Sequence, residues 1–528
     1  KKTIDNFPYP KYNQLVMQKR NFKKYFKKKK ESALIMRKQT KLVAVLSAAA
    51  LLAVGASMTS FAATGWQEEN GEWVYYNKDG DQVTDTWAKS GDAWFYLNGD
   101  GVMATDELID DGTNYYYVDS NGAMVTNGWV AVENENAGDT DEPDAYWYYF
   151  QANGKAYKSS GSASFKTING KKYAFDSEGK MLYGWVNKED ATRITGDDAW
   201  QSGDYYCGDE NDGSRASGWM KLDVIKDDED KSYWFYFNPS NGKKYAADDA
   251  TKFAIKTINS KKYAFDETGV MQDGWTDTLA TDADVATITE YQYFNGGDEG
   301  WRLQKGWVKV VPAEKVNKSA YDDDSTKWFY ADGSGNVYNS ALKTINNKKY
   351  AFNANGEMIS GLWALNIDST GKILGEMIEI DDAGKFDTAY AAYSTNKNYA
   401  VYYFGSGDDG AAKTGNQTID VDGDNYSYSF GTTGATKYKG VNETKKTLLV
   451  LGRKIKADKD YRYQSFGEDG KEVAGKVGGY LVNTSASIMK KKTNLKDADG
   501  MYYCTDEYGV VTRSEERRVG KECRSRWS

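Results

Sequence analysis

The chain has 528 residues, 68 Lys+Arg against 77 Asp+Glu, five Pro, three Cys and no His. The lack of His excludes a His-based triad, an imidazole zinc site and His acid–base chemistry in this sequence. With 16 Trp, 41 Tyr, 19 Phe and 52 Gly at a mean hydropathy of −0.74, the composition fits neither an ordinary globular enzyme nor a disordered chain, which would be poor in aromatics.

In chain order, residues 1–35 carry 11 Lys and Arg against Asp5 and Glu31. They read either as a basic arm for nucleic acid or anionic lipid or as untranslated upstream sequence. The second is expected, because Lys30-Glu31 can be encoded by a ribosome-binding AAG-GAG shortly before Met36. Residues 36–62 open with Met-Arg-Lys-Gln-Thr-Lys, continue as an apolar run from Leu42 to about Val54 and close on Ser60-Phe61-Ala62. That is the pattern of a secretory signal peptide, an apolar helix with cleavage expected near Ala62/Ala63. The run is too short to span a bilayer, so no integral membrane segment is expected in the mature chain. The formal charge of −9 is an average over unlike parts. Without the +9 of residues 1–35, the +3 of residues 36–62 and the +3 of residues 513–528, residues 63–512 carry −24, which argues against nucleic acid as a partner.

A repeat of 21 residues governs residues 63–130. Trp66, Trp87, Leu108 and Trp129 keep that step, as do Trp73, Trp94 and Tyr115, then Gly80, Gly101 and Gly122, then Met103 and Met124. The runs Trp73-Val-Tyr-Tyr76 and Trp94-Phe-Tyr-Leu97 are β-prone. Asn77–Gly80, Asn98–Gly101 and Asp119–Gly122 follow with the Asx and Gly chemistry of hairpin loops. The unit is expected to be one β-hairpin with its turn at those loops. A lone hairpin is marginal in water, so stability must come from stacking.

Residues 131–365 hold three longer units. Lys166–Phe175, Lys256–Phe265 and Lys343–Phe352 repeat almost verbatim, each followed by a Met (Met181, Met271, Met358) and a Trp (Trp185, Trp275, Trp363). Acidic stretches at 139–144, 227–230 and 322–324 are expected to loop out. Residues 366–440 form a degenerate unit and 441–512 a β-rich C-terminal region. No helical period is expected anywhere between 63 and 512.

Gly65-Trp66…Trp73-Val-Tyr-Tyr76…Asp79-Gly80 and Asn169–Trp185 resemble the choline-binding, or cell-wall-binding, repeats of Gram-positive surface proteins. Similar repeats occur in glucan-binding proteins and in the receptor-binding regions of clostridial toxins. The resemblance covers about residues 65–440 and implies an all-β fold, a repeat solenoid of stacked β-hairpins whose aromatics form boxes for choline or a sugar. It nominates Trp66, Trp73, Trp87, Trp94, Tyr116 and Trp129 as ligand-binding, with Met103 and Met124 lining, and Tyr173, Trp185, Tyr263, Trp275, Tyr350 and Trp363 in the long units. Packing between hairpins is an equally good reason for each ring. Leu108 in place of Trp, and Tyr-Ala-Phe where the family usually has Tyr-Tyr-Phe, depart from the pattern and leave a glycan as open as choline.

The resemblance implies a secreted, non-catalytic protein of the cell wall or cell surface. Its partner is a wall polymer: choline-substituted teichoic acid, peptidoglycan or glucan. No cofactor and no metal are implied. The alternatives are the binding module of a cell-wall hydrolase or glucan-active enzyme whose catalytic domain follows Thr512, and a toxin- or adhesin-like binder of host glycans. Residues 513–528 resemble the conceptual translation of a sequencing adapter, so truncation is expected there; a basic wall-binding tail is the other reading. Asp420–Asn425 reads as a solvated turn because its Gly is misplaced for a calcium loop. Cys207 and Cys504 read as substitutions at strand positions, not as a disulfide.

Overall fold

The computed structural model describes residues 64–139, 141–279 and 287–516. The signal-peptide segment, residues 1–35 and most of the C-terminal string lie outside the described residues. The described chain is mostly β, divided into small antiparallel sheets, most of them a single hairpin. It forms two compact units, one running to Lys256 with Phe265–Met271, the other made of Thr257–Ala264 and the residues from Gln272 on.

The first unit begins with hairpins β1 (Gly65–Glu69) with β2 (Glu72–Tyr76), β3 (Thr86–Ser90) with β4 (Ala93–Leu97), β5 (Glu107–Asp110) with β6 (Tyr115–Val118), and β7 (Gly128–Glu133) with β8 (Ala145–Phe150). The phase of each hairpin differs from expectation. In β1–β2 the two-residue turn is Asn70-Gly71, with Glu69 opposite Glu72 and φ of 54° and 90°, as a type I′ turn requires. The Asn77–Gly80, Asn98–Gly101 and Asp119–Gly122 loops instead link one hairpin to the next. Asn98 Oδ1 accepts the N–H groups of Asp100 and Val102 at 3.1 and 3.0 Å, and Asp119 Oδ1 that of Ala123 at 3.0 Å.

After each such loop two backbone bonds sew the series together. The N–H of Ala104 donates to the carbonyl of Tyr96 in its own hairpin, and that of Met103 to Trp73 in the hairpin before, both at 2.8 Å. Val125 with Tyr117 and Met124 with Trp94 repeat the pair. Gly122 is required here: its φ is +76°, and a Cβ would lie 2.8 Å from the Met103 side chain. Strand alternation sends Val74, Ala88, Phe95 and Ile109 to a buried face and Trp66, Trp87, Tyr75, Tyr96 and Tyr117 to the other.

Two expectations fail on local geometry. Asp227-Asp228 does not loop out; it is the tight turn between Gly218–Lys226 and Glu229–Phe237, with φ of 54° and 61°. In the second unit Ala383–Thr395 is a 13-residue α-helix, where no helix was expected. Asp382 caps it by accepting the Lys385 N–H at 2.8 Å, and Phe386 and Ala389 enter the core that holds Val401, Tyr428 and Val450. The Asp420–Asn425 segment is the tip of the hairpin of Gly415–Val421 with Asp424–Phe430, its turn at Asp422-Gly423. Cys207 pairs with Gly184 as Phe150 pairs with Gly128. Both described cysteines are free, and burial pushes the Cys207 thiol up to about 12. Arg513–Glu516 continues the strand Val511–Glu516 against Met501–Thr505.

Candidate aromatic binding sites

Six tryptophans at the first-strand phase of Trp66 each meet two rings, the Tyr across their own hairpin and an inward ring of the next. Trp66 lies 5.3 Å from both Tyr75 and Phe95. Trp87 lies 5.2 Å from Tyr96 and from Tyr116. Trp129 meets Tyr149 at 5.2 Å and Tyr173 at 4.9 Å, and Trp185 meets Tyr206 at 5.1 Å and Phe235 at 5.4 Å. In the second unit Trp275 meets Tyr293 at 5.1 Å and Phe329 at 4.8 Å. Trp307 meets Tyr330 at 5.1 Å and Tyr350 at 4.9 Å. These are mostly edge-to-face contacts, the arrangement ring quadrupoles favour. They leave three-ring corners between hairpins, half-buried at the Trp.

The nominated residues divide accordingly. Trp66, Trp87, Tyr116, Trp129, Tyr173, Trp185, Trp275 and Tyr350 lie in such corners. Met103 and Met124 lie under the next inter-hairpin loop, against Gly122 and Gly154. Trp73 shares a face with Trp66, and Trp94 stands at the rim, 41% exposed beneath Lys89. Tyr263 is buried, and loss of solvent raises its hydroxyl. Tyr173 is buried as well, its hydroxyl pushed up to about 12 by the same cause. Trp363 packs into a core with Leu365 and Phe404 and spends its Nε1 on the Ser360 carbonyl at 2.6 Å. Sequence reasoning passed over Trp219 and Trp307, which build corners of their own. Trp219 lies 5.0 Å from Tyr236 and 5.9 Å from Phe265. The dipeptides Gly218-Trp219 and Gly306-Trp307 carried the signal, but no Met precedes them in the repeat position.

The corners differ in what covers them. At the backbone position whose N–H bonds back to Tyr75, Tyr96 and Tyr117, residues 63–130 carry Val83, Ala104 and Val125; the long units carry Tyr157, Tyr245 and Tyr338 in three hairpins and Ala216 and Leu303 in two. Tyr157, Tyr245 and Tyr338 lie on Tyr149, Tyr236 and Tyr330 at 5.7, 5.1 and 5.4 Å. Over each stands the lysine that opens the verbatim repeat: Lys166, Lys256 and Lys343, with Nζ 5.7, 5.4 and 5.3 Å from the ring centre. At the Met103 position the Trp185 corner receives Lys244, whose Nζ is 5.1 Å from the indole centre and donates to the carbonyls of Trp200 at 2.6 Å and Gln201 at 3.2 Å. Lys244 is 6% exposed, and burial pulls its ammonium down to about 8. Among the described residues no Lys or Arg stands within cation–π range of Trp66, Tyr75, Trp87, Tyr96 or Tyr116. No group of three His, Cys, Asp or Glu suited to a metal is found among the described residues, nor a helix long and apolar enough to cross a membrane.

Residues 63–100 and 84–129 match the family model described as the choline-binding repeat. Glucosyltransferase-S of Streptococcus mutans serotype c is 27% identical over 373 residues, an alignment that takes in 69% of this chain and 20% of that protein. The chain thus spans about a fifth of that relative's length. Among solved structures, CbpJ from Streptococcus pneumoniae is similar at a TM-score of 0.34 and 19% identity, over 71% of this chain and 100% of that one. The modular autolysin LytC from Streptococcus pneumoniae, solved with a synthetic peptidoglycan ligand, is similar at a TM-score of 0.32 and 17% identity, over 58% of this chain and 55% of its own.

Proposed function

We propose that this chain, whose residues 63–129 match the choline-binding repeat, is a secreted, non-catalytic module that holds to a choline-bearing cell-wall polymer. Its hairpins stack as a solenoid across residues 65–130, and the ligand enters the corners at Trp66 and Trp87. The observation that carries this reading is the pair of three-ring corners, Trp66/Tyr75/Phe95 and Trp87/Tyr96/Tyr116, with ring centres 5.2–5.3 Å from the Trp and no Lys or Arg on them among the described residues. A quaternary ammonium gains roughly 0.5–2 kcal/mol per aromatic face. Three rings therefore make a site near millimolar, and repetition along a polymer adds on the order of 10²–10⁴ through avidity. The surplus of carboxylates favours a cationic ligand and disfavours bare phosphate.

The test is retention on purified Gram-positive cell walls. Elution by free choline supports the reading, whereas failure to bind any wall or glucan rejects it. A second reading, glucan binding within a larger glucan-active protein, is favoured by the alignment with glucosyltransferase-S, which extends well beyond residues 63–129. Elution by dextran and not by choline would select it.

A further inference from the structure

We infer that Lys244 and the pairs Tyr157–Lys166, Tyr245–Lys256 and Tyr338–Lys343 are specificity determinants: each supplies an internal ammonium to an aromatic corner and closes it to an external quaternary ammonium, leaving choline to the corners at Trp66, Trp87 and Trp275. The inference rests on the choline reading above and divides the molecule within it.

Three observations carry it. First, the device recurs. Three long units place a lysine on the same tyrosine with nearly the same spacing, 5.3–5.7 Å, and the lysine comes each time from the first position of the repeat Lys-Thr-Ile-Asn. A surface lysine with no role has no reason to keep that geometry three times. Second, the tyrosine is a substitution on an otherwise constant backbone. Its N–H makes the bond that Val83, Ala104 and Val125 make in the first hairpins, so the scaffold is indifferent to the side chain and the corner alone feels it. The tyrosine ring fills space that the smaller residues leave free, and its outer face carries the lysine.

Third, Lys244 occupies the position that Met103, Met124 and Met181 hold in other hairpins, which is recognisable because each lies under the glycine of a following loop: Gly122, Gly154 and Gly213 for the methionines, Gly269 for Lys244. A methionine there leaves the face of the indole neutral. Lys244 lays an ammonium on Trp185, with Phe235 5.9 Å from it, and anchors it on two carbonyls. A second cation arriving at Trp185 meets like charge in a low-dielectric setting, where repulsion is strong.

Equilibrium dialysis of the full chain against radiolabelled choline tests the division by counting sites. Lys244→Met and the double variant Tyr157→Val/Lys166→Met should each add one choline site to the wild-type count. Lys244→Arg should add none, and Trp87→Ala should remove one. A cooperative melt of each variant shows that it folds, and valine and methionine already occupy these positions in other hairpins. An unchanged count in both the Lys244→Met and the double variant, with Trp87→Ala still losing a site, overturns the inference while leaving the choline reading intact. Loss of a wild-type site on Trp185→Ala also overturns it, because the corner would then already be open. If the wild type binds no choline but the variants gain sites, the choline reading fails and the gating role stands.

Discussion

The corners at Trp66 and Trp87 and those at Trp129, Trp185, Trp219 and Trp307 are built from the same hairpin and treated in opposite ways. Around Trp66 and Trp87 the neighbours are Val83, Ala104 and Met103, which put no ammonium on the rings. Around Trp129, Trp219 and Trp307 a tyrosine and a lysine have been added, and around Trp185 a methionine has become Lys244. The backbone bonds are shared by both regions. A hairpin array can thus be held together by main-chain pairing, which does not read side chains, while one or two substitutions per unit decide whether a corner is open.

Several substitutions probe that contrast. Trp87→Ala removes the ring that joins the second hairpin to Tyr116 of the third and should cost about 3 kcal/mol of stability, together with a marked loss of wall retention. Unchanged melting and unchanged retention would deny the open corner both its roles. Lys244→Met should raise stability at pH 7 by about 1–3 kcal/mol, since it removes a buried charge and gives up its two carbonyl bonds. The sign with pH follows from the ammonium standing at about 8 in the fold and near 10.5 when exposed. Between those values the unfolded chain binds more protons, so the wild type gains stability as pH rises from about 8 to 10.5. The difference between wild type and Lys244→Met should therefore shrink over that window, and a difference that stays constant would mean the lysine is not buried as a cation.

Asp382→Ala, which uncaps the helix Ala383–Thr395, should cost about 1 kcal/mol without altering wall retention, because the helix belongs to neither kind of corner. Smallest of all, Lys343→Met should cost about 0.5–1 kcal/mol, the worth of a partly exposed cation–π contact; Lys343→Arg should restore it, and a melt insensitive to both would show that the lysine only passes over Tyr338.

Much of this was legible in the chain itself. The 21-residue step of Trp66, Trp87 and Trp129 marks the corners because strand alternation obliges a residue at a repeated phase to face the same way. Tyr116, nominated with Trp87, lies 5.2 Å from it. The turn was misplaced because two loop signals compete in each unit. Asn-Gly at 70–71 is short and easily overlooked, and Asn77–Gly80 is longer and richer in Asx residues, yet a hairpin takes the two-residue turn whose twist matches its strands. The helix was missed although Phe386, Ala389, Tyr390 and Tyr393 keep helical spacing and Asp382 stands ready as a cap; the surrounding β pattern masked a single 13-residue exception.

What the sequence by itself determined was the kind of unit, a short aromatic hairpin that cannot stand alone, and the family it resembles. Periodicity and turn chemistry are local, so they survive in one dimension. Only the tertiary structure decided which aromatic faces are free, because a lysine and the ring it covers are brought together by the stacking of hairpins rather than by their spacing in the chain. Lys244 reaches Trp185 from the following hairpin, and nothing near either residue announces the other. The aromatic excess that distinguishes this composition therefore serves two ends, and the position of a few ammonium groups in space separates them.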